Sequence, residues 1–198
     1  MEQVEQAKEV ELCWSAFGAA LRDRNHPFRT PVLLSVDAEG YPSGRVMTMR
    51  AIDRKEGWMR FHLDRRSPKF ADWSRNSAIS GVFYDKPGKW QIRVRGKAKL
   101  HFDDELAREA WESSHPMCQR TYLTEVGPGQ MLDWEDYSTF PAQFEKRRPT
   151  AEESELGFSR FAVLYLAVRD IDSLHLEGTG HQRFRIETSP VAVQRLAP

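Results

Sequence analysis

Residues Trp90–Phe102 read WQIRVRGKAKLHF. Ile92, Val94, Gly96, Ala98, Leu100 and Phe102 alternate with Gln91, Arg93, Arg95, Lys97, Lys99 and His101. Successive strand side chains point to opposite faces, so this alternation predicts a strand over 90–102. One face is apolar and packs on a core. The other carries a polar, mostly basic stripe.

Working outward, Lys86-Pro87-Gly88-Lys89 is a turn, and 78–85 is the strand before it. Further upstream, 30–36, 43–53 and 58–64 read as strands. They are joined by Asp37-Ala38-Glu39-Gly40, where Gly40 is free to take positive φ, and by Arg54-Lys55-Glu56-Gly57. Short strands with Gly-bearing turns predict an antiparallel meander. Ser67-Pro68 opens a short helix over 68–75, serine suiting the N-cap and proline the first helical position. At the start, Val10, Trp14, Phe17 and Leu21 share a helical face, which predicts a helix over 3–24. Downstream, Asp103 or Asp104 caps a helix running to about Ser114. A short helix is expected at 141–147, and strands at 161–168, 173–177 and 182–187. No repeat or linker interrupts the chain, so 1–198 is expected to form a single domain. Its core spans about 28–102 and 160–187. About seven strands with peripheral helices imply a mainly β fold that closes into a barrel or sandwich.

Lys plus Arg equals Asp plus Glu, 29 each, so no global charge draws the chain to nucleic acid or an anionic membrane. Any anion site must be local, and basic residues do crowd 45–69 and 89–99. Cys13 and Cys118 are far apart and form no CxxC, which reads as two plain thiols in a reducing compartment and no metal site. The acidic N-terminus has no apolar signal core, and no stretch reaches the ~18 apolar residues of a membrane span. The expected location is the cytoplasm.

HExxH, GxSxG, GxxxxGK[ST], zinc spacing and GxGxxG are all absent. Chemistry without such machinery is commonly borrowed from a cofactor. Ser67-Pro68-Lys69 reads either as a capped surface helix or as a phosphate seat, where a hydroxyl and an ammonium join the free N–H groups of a helix start. Arg45 and Arg50 read as a solvated strand face or as ligand contacts. His62 alone is an ordinary strand histidine.

Four segments in order resemble the pyridoxamine 5′-phosphate oxidase family. They are LSVDAEGYPSGRVMTMR (Leu34–Arg50), FHLDRRSPK (Phe61–Lys69), WQIRVRGKA (Trp90–Ala98) and HQRF (His181–Phe184). The resemblance implies an antiparallel split β-barrel that binds FMN as a homodimer, with the cofactor at the interface. Arg45 and Lys69, helped by Ser67, would grip the flavin phosphate. Val46, Met47, Thr48, Met49 and Arg50 would run along the isoalloxazine ring. His62 and Leu63 would lie on the phosphate side. Gln91 and Arg183 would reach the flavin from the other subunit, and His181 with Arg183 are the catalytic candidates.

The match also departs from the family's oxidases. Their Arg-Leu-His-Asp-Arg run is here Thr179-Gly180-His181-Gln182-Arg183, an indole beside the flavin is replaced by Leu176, and a usual lysine is Arg50. In 111–130 the substrate-phosphate cluster is not reproduced, leaving Arg120 and Tyr122 as stand-ins. The expectation is therefore an FMN-dependent oxidoreductase acting on a small molecule other than pyridoxamine 5′-phosphate. Two alternatives stay open: a non-catalytic flavin or haem module with His62, His175 or His181 as axial ligands, and a barrel that has lost its ligand.

Overall fold

The computed structural model of the chain describes residues 2–134, 140–144, 147–178 and 180–198. It divides into two compact units, one of residues 1–61, 76–99 and 165–198 and one of residues 62–75 and 100–164.

The first unit carries helix α1 (Glu2–Arg22) and most of a nine-stranded, mainly antiparallel sheet. Its strands are β1 (Val32–Val36), β2 (Pro42–Val46), β3 (Met49–Asp53), β4 (Trp58–Asp64), β5 (Ala78–Asp85), β6 (Trp90–His101), β7 (Phe161–His175), β8 (Gln182–Thr188) and β9 (Val191–Leu196). The order is β2-β1-β5-β6-β7-β4-β3, with β8 beside β7 and β9 beside β8. As expected, Gly40 takes a positive φ, +91°, in the β1–β2 turn.

The expected strand over 43–53 is two strands. Val46 pairs with Val32 of β1, whereas Met49 pairs with Phe61 of β4. The alternation is unbroken across the switch, with Met47 and Met49 buried and Val46 and Thr48 more exposed. Periodicity reports which face a residue takes, not which strand it pairs with, so the sequence reads as one element. Since β2 and β3 end the strand order, two residues tie together the edges of the sheet. Three Cα steps reach at most ~11 Å, so the sheet must curl until its edges nearly meet. It stays open there, as a split barrel does.

The expected strands at 161–168 and 173–177 are the single 15-residue β7, ending at His175. Arg169-Asp170 looks like a polar break in sequence. In the fold, the Asp170 carboxylate is buried and bonded to Arg95 Nε (2.8 Å) and Arg169 Nε (3.0 Å), so the strand continues through it. Strand β9, short and largely exposed, was not expected. The buried face of α1 also differs. Trp14 and Phe17 are buried as expected, but Glu9, Cys13 and Ala20 take the places assigned to Val10 and Leu21. Phe17 anchors this face against Phe83 (4.9 Å between ring centroids) and Phe28 (6.2 Å).

The second unit holds α2 (Pro68–Arg75), α3 (Glu105–Glu112), α4 (Pro116–Gln119) and α5 (Ala151–Glu155). Asp104 caps α3 by accepting from Ala107 N–H at 2.9 Å. Thr150 and Glu153 form a reciprocal capping box on α5. Trp111, Tyr122, Phe158 and Phe161 make the aromatic core of this unit. The expected helix at 141–147 shows as a 3-10 turn at Ala142–Phe144, and residues 145 and 146 lie outside the described residues.

Gly96 marks where β6 and β7 approach too closely for any side chain. A Cβ there would stand 1.9 Å from the Ala167 carbonyl oxygen, which is backbone and cannot swing away. At Gly81 the nearest atoms are side chains, Leu33 at 3.1 Å and Phe83 at 3.3 Å. Gly96→Ala is therefore expected to cost about 2–3 kcal/mol or more and Gly81→Ala clearly less. Urea denaturation of the two variants beside wild type measures this, and equal losses would contradict the close approach.

Candidate functional site

In the first unit, Arg45 lies on β2 beside β1. Its Nη2 donates to Ser35 Oγ and to Ser43 Oγ, each at 2.9 Å. Ser35 and Ser43 are cross-strand partners, so the pairing of β1 with β2 builds this seat. Both of these acceptors are hydroxyls, and together they orient the guanidinium. Next, Val46 is exposed, Met47 and Met49 are buried, and Thr48 is half-buried. Arg50 sits at the β-bulge where the β3–β4 register shifts between Met49 and Ala51. Bulges re-aim the side chains they carry. The Arg50 Nε is buried with no hydrogen-bond partner among the described residues.

Gln91 lies on β6 opposite Tyr84, and Arg183 lies on β8 opposite Leu174. Arg183 Nε and Nη2 donate to the two Asp172 oxygens at 3.1 and 2.9 Å. Arg93 Nη2 donates to the same carboxylate at 2.7 Å. Burial alone would raise the Asp172 pKa, but the Arg183 and Arg93 hydrogen bonds outweigh it and hold the carboxyl below its ordinary value. These groups line a cleft of about 410 Å³ together with Arg95, Asp170 and Arg185. His181 is exposed just before β8, and Thr179 lies outside the described residues.

In the second unit, His62 is half-buried on β4 with its ring edge-on to Phe161 (4.9 Å). Leu63 is buried beside it in sequence. Ser67 is buried, and its hydroxyl donates back to the Asp64 carbonyl at 2.5 Å instead of accepting from the helix start. Lys69 occupies the first turn of α2 and is half-buried. The predicted set thus falls in two groups. Arg45–Arg50, Gln91, His181 and Arg183 belong to the first unit, and His62, Leu63, Ser67 and Lys69 to the second. The two stand-ins both lie in the second unit. Arg120 donates to the Phe144 carbonyl (2.8 Å), and Tyr122 is buried against Trp111 and Phe161.

Three features escaped the sequence reading. Arg66 chelates Asp64 (3.0 and 2.7 Å) and holds the Thr124 carbonyl (2.9 Å). Asp172 is the carboxylate that holds Arg183. Glu9 reaches His175 Nε2 at 3.0 Å, while the His175 ring stacks on Trp90 at 4.9 Å. Burial works to raise the Glu9 pKa, but hydrogen bonds from His175 and Ser173 win and lower it. Cys13, beside Glu9, is pushed far up, by burial first and by Glu9 second, and is an inert thiol at neutral pH. His175, a candidate axial ligand, is thus already engaged by a carboxylate and an indole.

Residues 2–102 match the family model described as the pyridoxamine 5′-phosphate oxidase FMN-binding domain. Among solved structures, the chain is similar to a pyridoxamine 5′-phosphate oxidase-related, FMN-binding protein of Nostoc punctiforme PCC 73102. The two share 18% identity at a TM-score of 0.75, over 95% of this chain and 96% of that one. It is also similar to PhzG of Burkholderia lata 383 in complex with tetrahydrophenazine-1-carboxylic acid, at 17% identity and a TM-score of 0.72, over 96% and 92% of the two chains. At these identities the likeness is one of fold. No curated protein matches the chain. Among the described residues no helix is long and apolar enough to cross a membrane.

The Asp172 pair has a pH signature. Its carboxyl is held below the ordinary value of 3.8, so its contribution to stability is full above that value and is lost as pH falls through the lower folded-state pKa. Asp172→Asn should therefore be less stable than wild type at pH 7 by about 2–4 kcal/mol. The gap should narrow only below about pH 4. Urea titrations from pH 7 to pH 3 test this, and a gap that closes near pH 6 would contradict the assignment.

Proposed function

The chain belongs to the family of pyridoxamine 5′-phosphate oxidase FMN-binding domains, and on that premise we propose that it is an FMN-dependent oxidoreductase acting on a small molecule. The observation that carries this reading is Arg50 at the β3 bulge, whose buried Nε has no hydrogen-bond partner among the described residues. A buried guanidinium N–H without a partner is a donor for a polar ligand, and a flavin offers its phosphate and the oxygens and nitrogens of its ring; Arg45, oriented by Ser35 and Ser43, is proposed to grip the phosphate. The donor set also fits the rest of the cofactor. Val46–Arg50 join β2 and β3 at the two ends of the strand order, and of their apolar side chains Val46 is the exposed one. Ser67 and Lys69 supply the second half of the phosphate contacts in this proposal, His62 and Leu63 flank it, and Gln91 and Arg183 meet the ring.

FMN, when bound, supplies the two-electron redox chemistry. The chain's own task is to hold the phosphate, lay the ring along Val46–Arg50 and orient a substrate with His181 and Arg183. The substrate proposed is not pyridoxamine 5′-phosphate, because the first arginine of the family's terminal run is threonine here and residues 111–130 do not reproduce the family's substrate-phosphate cluster.

The active form proposed is a symmetric homodimer with the cofactor at its interface. The supporting observation is the outer face of β1, β2 and β5 in the first unit. Val46, Val32 and Val82 stand in one cross-strand row, with Val46 65% and Val32 39% exposed, and Tyr84 on the same face is 48% exposed. A contiguous apolar patch of this kind marks an interaction surface, and a self-complementary one gives a two-fold dimer. Light scattering is expected to report a dimer and Val32→Asp a monomer. A wild-type monomer that binds FMN tightly would refute the assembly.

The cofactor assignment is checked by titrating apo-protein with FMN and riboflavin. Charge-assisted contacts contribute about 1.5–3 kcal/mol each, so Arg45→Ala and Lys69→Ala should each weaken FMN binding roughly ten- to a hundredfold. Riboflavin should bind far more weakly to wild type and respond little to either change. Variants that bind FMN like wild type would remove the phosphate assignment.

A further inference from the structure

Two charged rungs cross β6, β7 and β8 in the first unit. One runs Arg93–Asp172–Arg183, the other Arg95–Asp170–Arg185. Strand register sets Arg185, not Arg183, directly opposite Asp172. Asp172 nevertheless takes the diagonal Arg183, and Arg185 leans 4.0 Å from Asp170. The two contacts to Arg183 use Nε and Nη2 against two different carboxylate oxygens. This two-point grip fixes the plane of the guanidinium, which a single contact would leave free to rotate. Nη1 has no partner among the described residues, so its N–H donors remain for a ligand.

We propose that Asp172 is the positioning residue for Arg183, holding its guanidinium by one edge so that the Nη1 edge is presented to the flavin ring. The proposal rests on the reading above that Arg183 meets the flavin. It adds a residue outside the four segments that carry the family resemblance. Arg93 meets Asp172 at Oδ2 alone, so its removal leaves both Arg183 contacts in place.

The test is a double-mutant cycle on FMN affinity, measured well below the unfolding midpoint of each variant. Arg183→Gln should raise the Kd for FMN about tenfold. Asp172→Asn should raise it by a similar factor, and the double variant should be no worse than Arg183→Gln. Arg93→Gln, which leaves both Arg183 contacts in place, should move the Kd much less than Asp172→Asn. Asp172→Glu, which keeps the carboxylate, should recover part of the loss, and it replaces Asp172→Asn in the cycle where that variant fails to fold. A purely structural Asp172 would lower the unfolding midpoint without moving the Kd of the folded protein, which overturns the proposal. So does an Asp172→Asn effect that persists in the Arg183→Gln background. If Arg183→Gln alone is silent, the flavin contact of Arg183 itself is wrong and the positioning role falls with it. If Arg183→Gln weakens binding and Asp172→Asn does not, the flavin contact stands and only the positioning role is lost.

Discussion

The first unit depends on one covalent constraint: residues Met47 and Thr48 join the two ends of the strand order. Everything hydrogen-bonded between β2 and β3 around the sheet must curl to satisfy a link of ~11 Å at most. Strand twist supplies part of that curl. Close contact between β6 and β7 at Gly96, where a carbonyl occupies the space of a side chain, belongs to the same tightening. Burial of Met47 and Met49 then locks the link, because turning either residue outward would expose an apolar side chain and flip its neighbours inward.

Charge on the sheet is handled locally. The chain is neutral overall, yet the basic stripe of β6 would repel itself if left alone. It is answered by Asp170 and Asp172 from β7, whose carboxylates are 3% and 14% exposed. Five arginines (Arg93, Arg95, Arg169, Arg183 and Arg185) share these two carboxylates. Buried ion pairs add little net stability, but losing one partner strands the other charge at a cost of about 3–5 kcal/mol. The excess of arginine over aspartate leaves this face cationic, which is compatible with an anion beside it.

Elements whose signal is local were legible in the sequence. Strands β4 and β5 and helix α2 fall where alternation, glycine turns and the Ser-Pro start place them, and Asp104 caps α3 as one of two candidates. What failed depends on partners far away in the chain. The β2–β3 switch is invisible because facing does not change when the pairing strand does. The continuity of β7 needs Arg95, 75 residues from Asp170, to make a charged position tolerable inside a strand. The buried stripe of α1 runs through Glu9 because His175 and Ser173 wait for it, and periodicity counts a glutamate as surface. The site divides the same way. Residue types in order along 45–69 and at 91 and 183 carry the family resemblance on which the proposed site rests, whereas Asp172 has no such signal, since an aspartate in a strand carries no mark of the arginine it will hold.

The stretch from Arg45 to Arg50 therefore has two duties. It is the seam at which the sheet changes edges, and it is the segment proposed to lie along the cofactor. The two demands are compatible because they use different atoms. Met47 and Met49 side chains serve the core, while Val46 is exposed and the bulged Arg50 keeps a buried Nε without a hydrogen-bond partner among the described residues. A seam pinned by buried methionines cannot drift, so the arginines at its two ends are held at fixed positions before any anion arrives. Preorganisation of that kind lowers the ordering cost of binding. It also means that a substitution at Met47 or Met49 would disturb the fold and the proposed ligand seat together, whereas Arg45→Ala removes a side chain that the Ser35 and Ser43 hydroxyls help to orient.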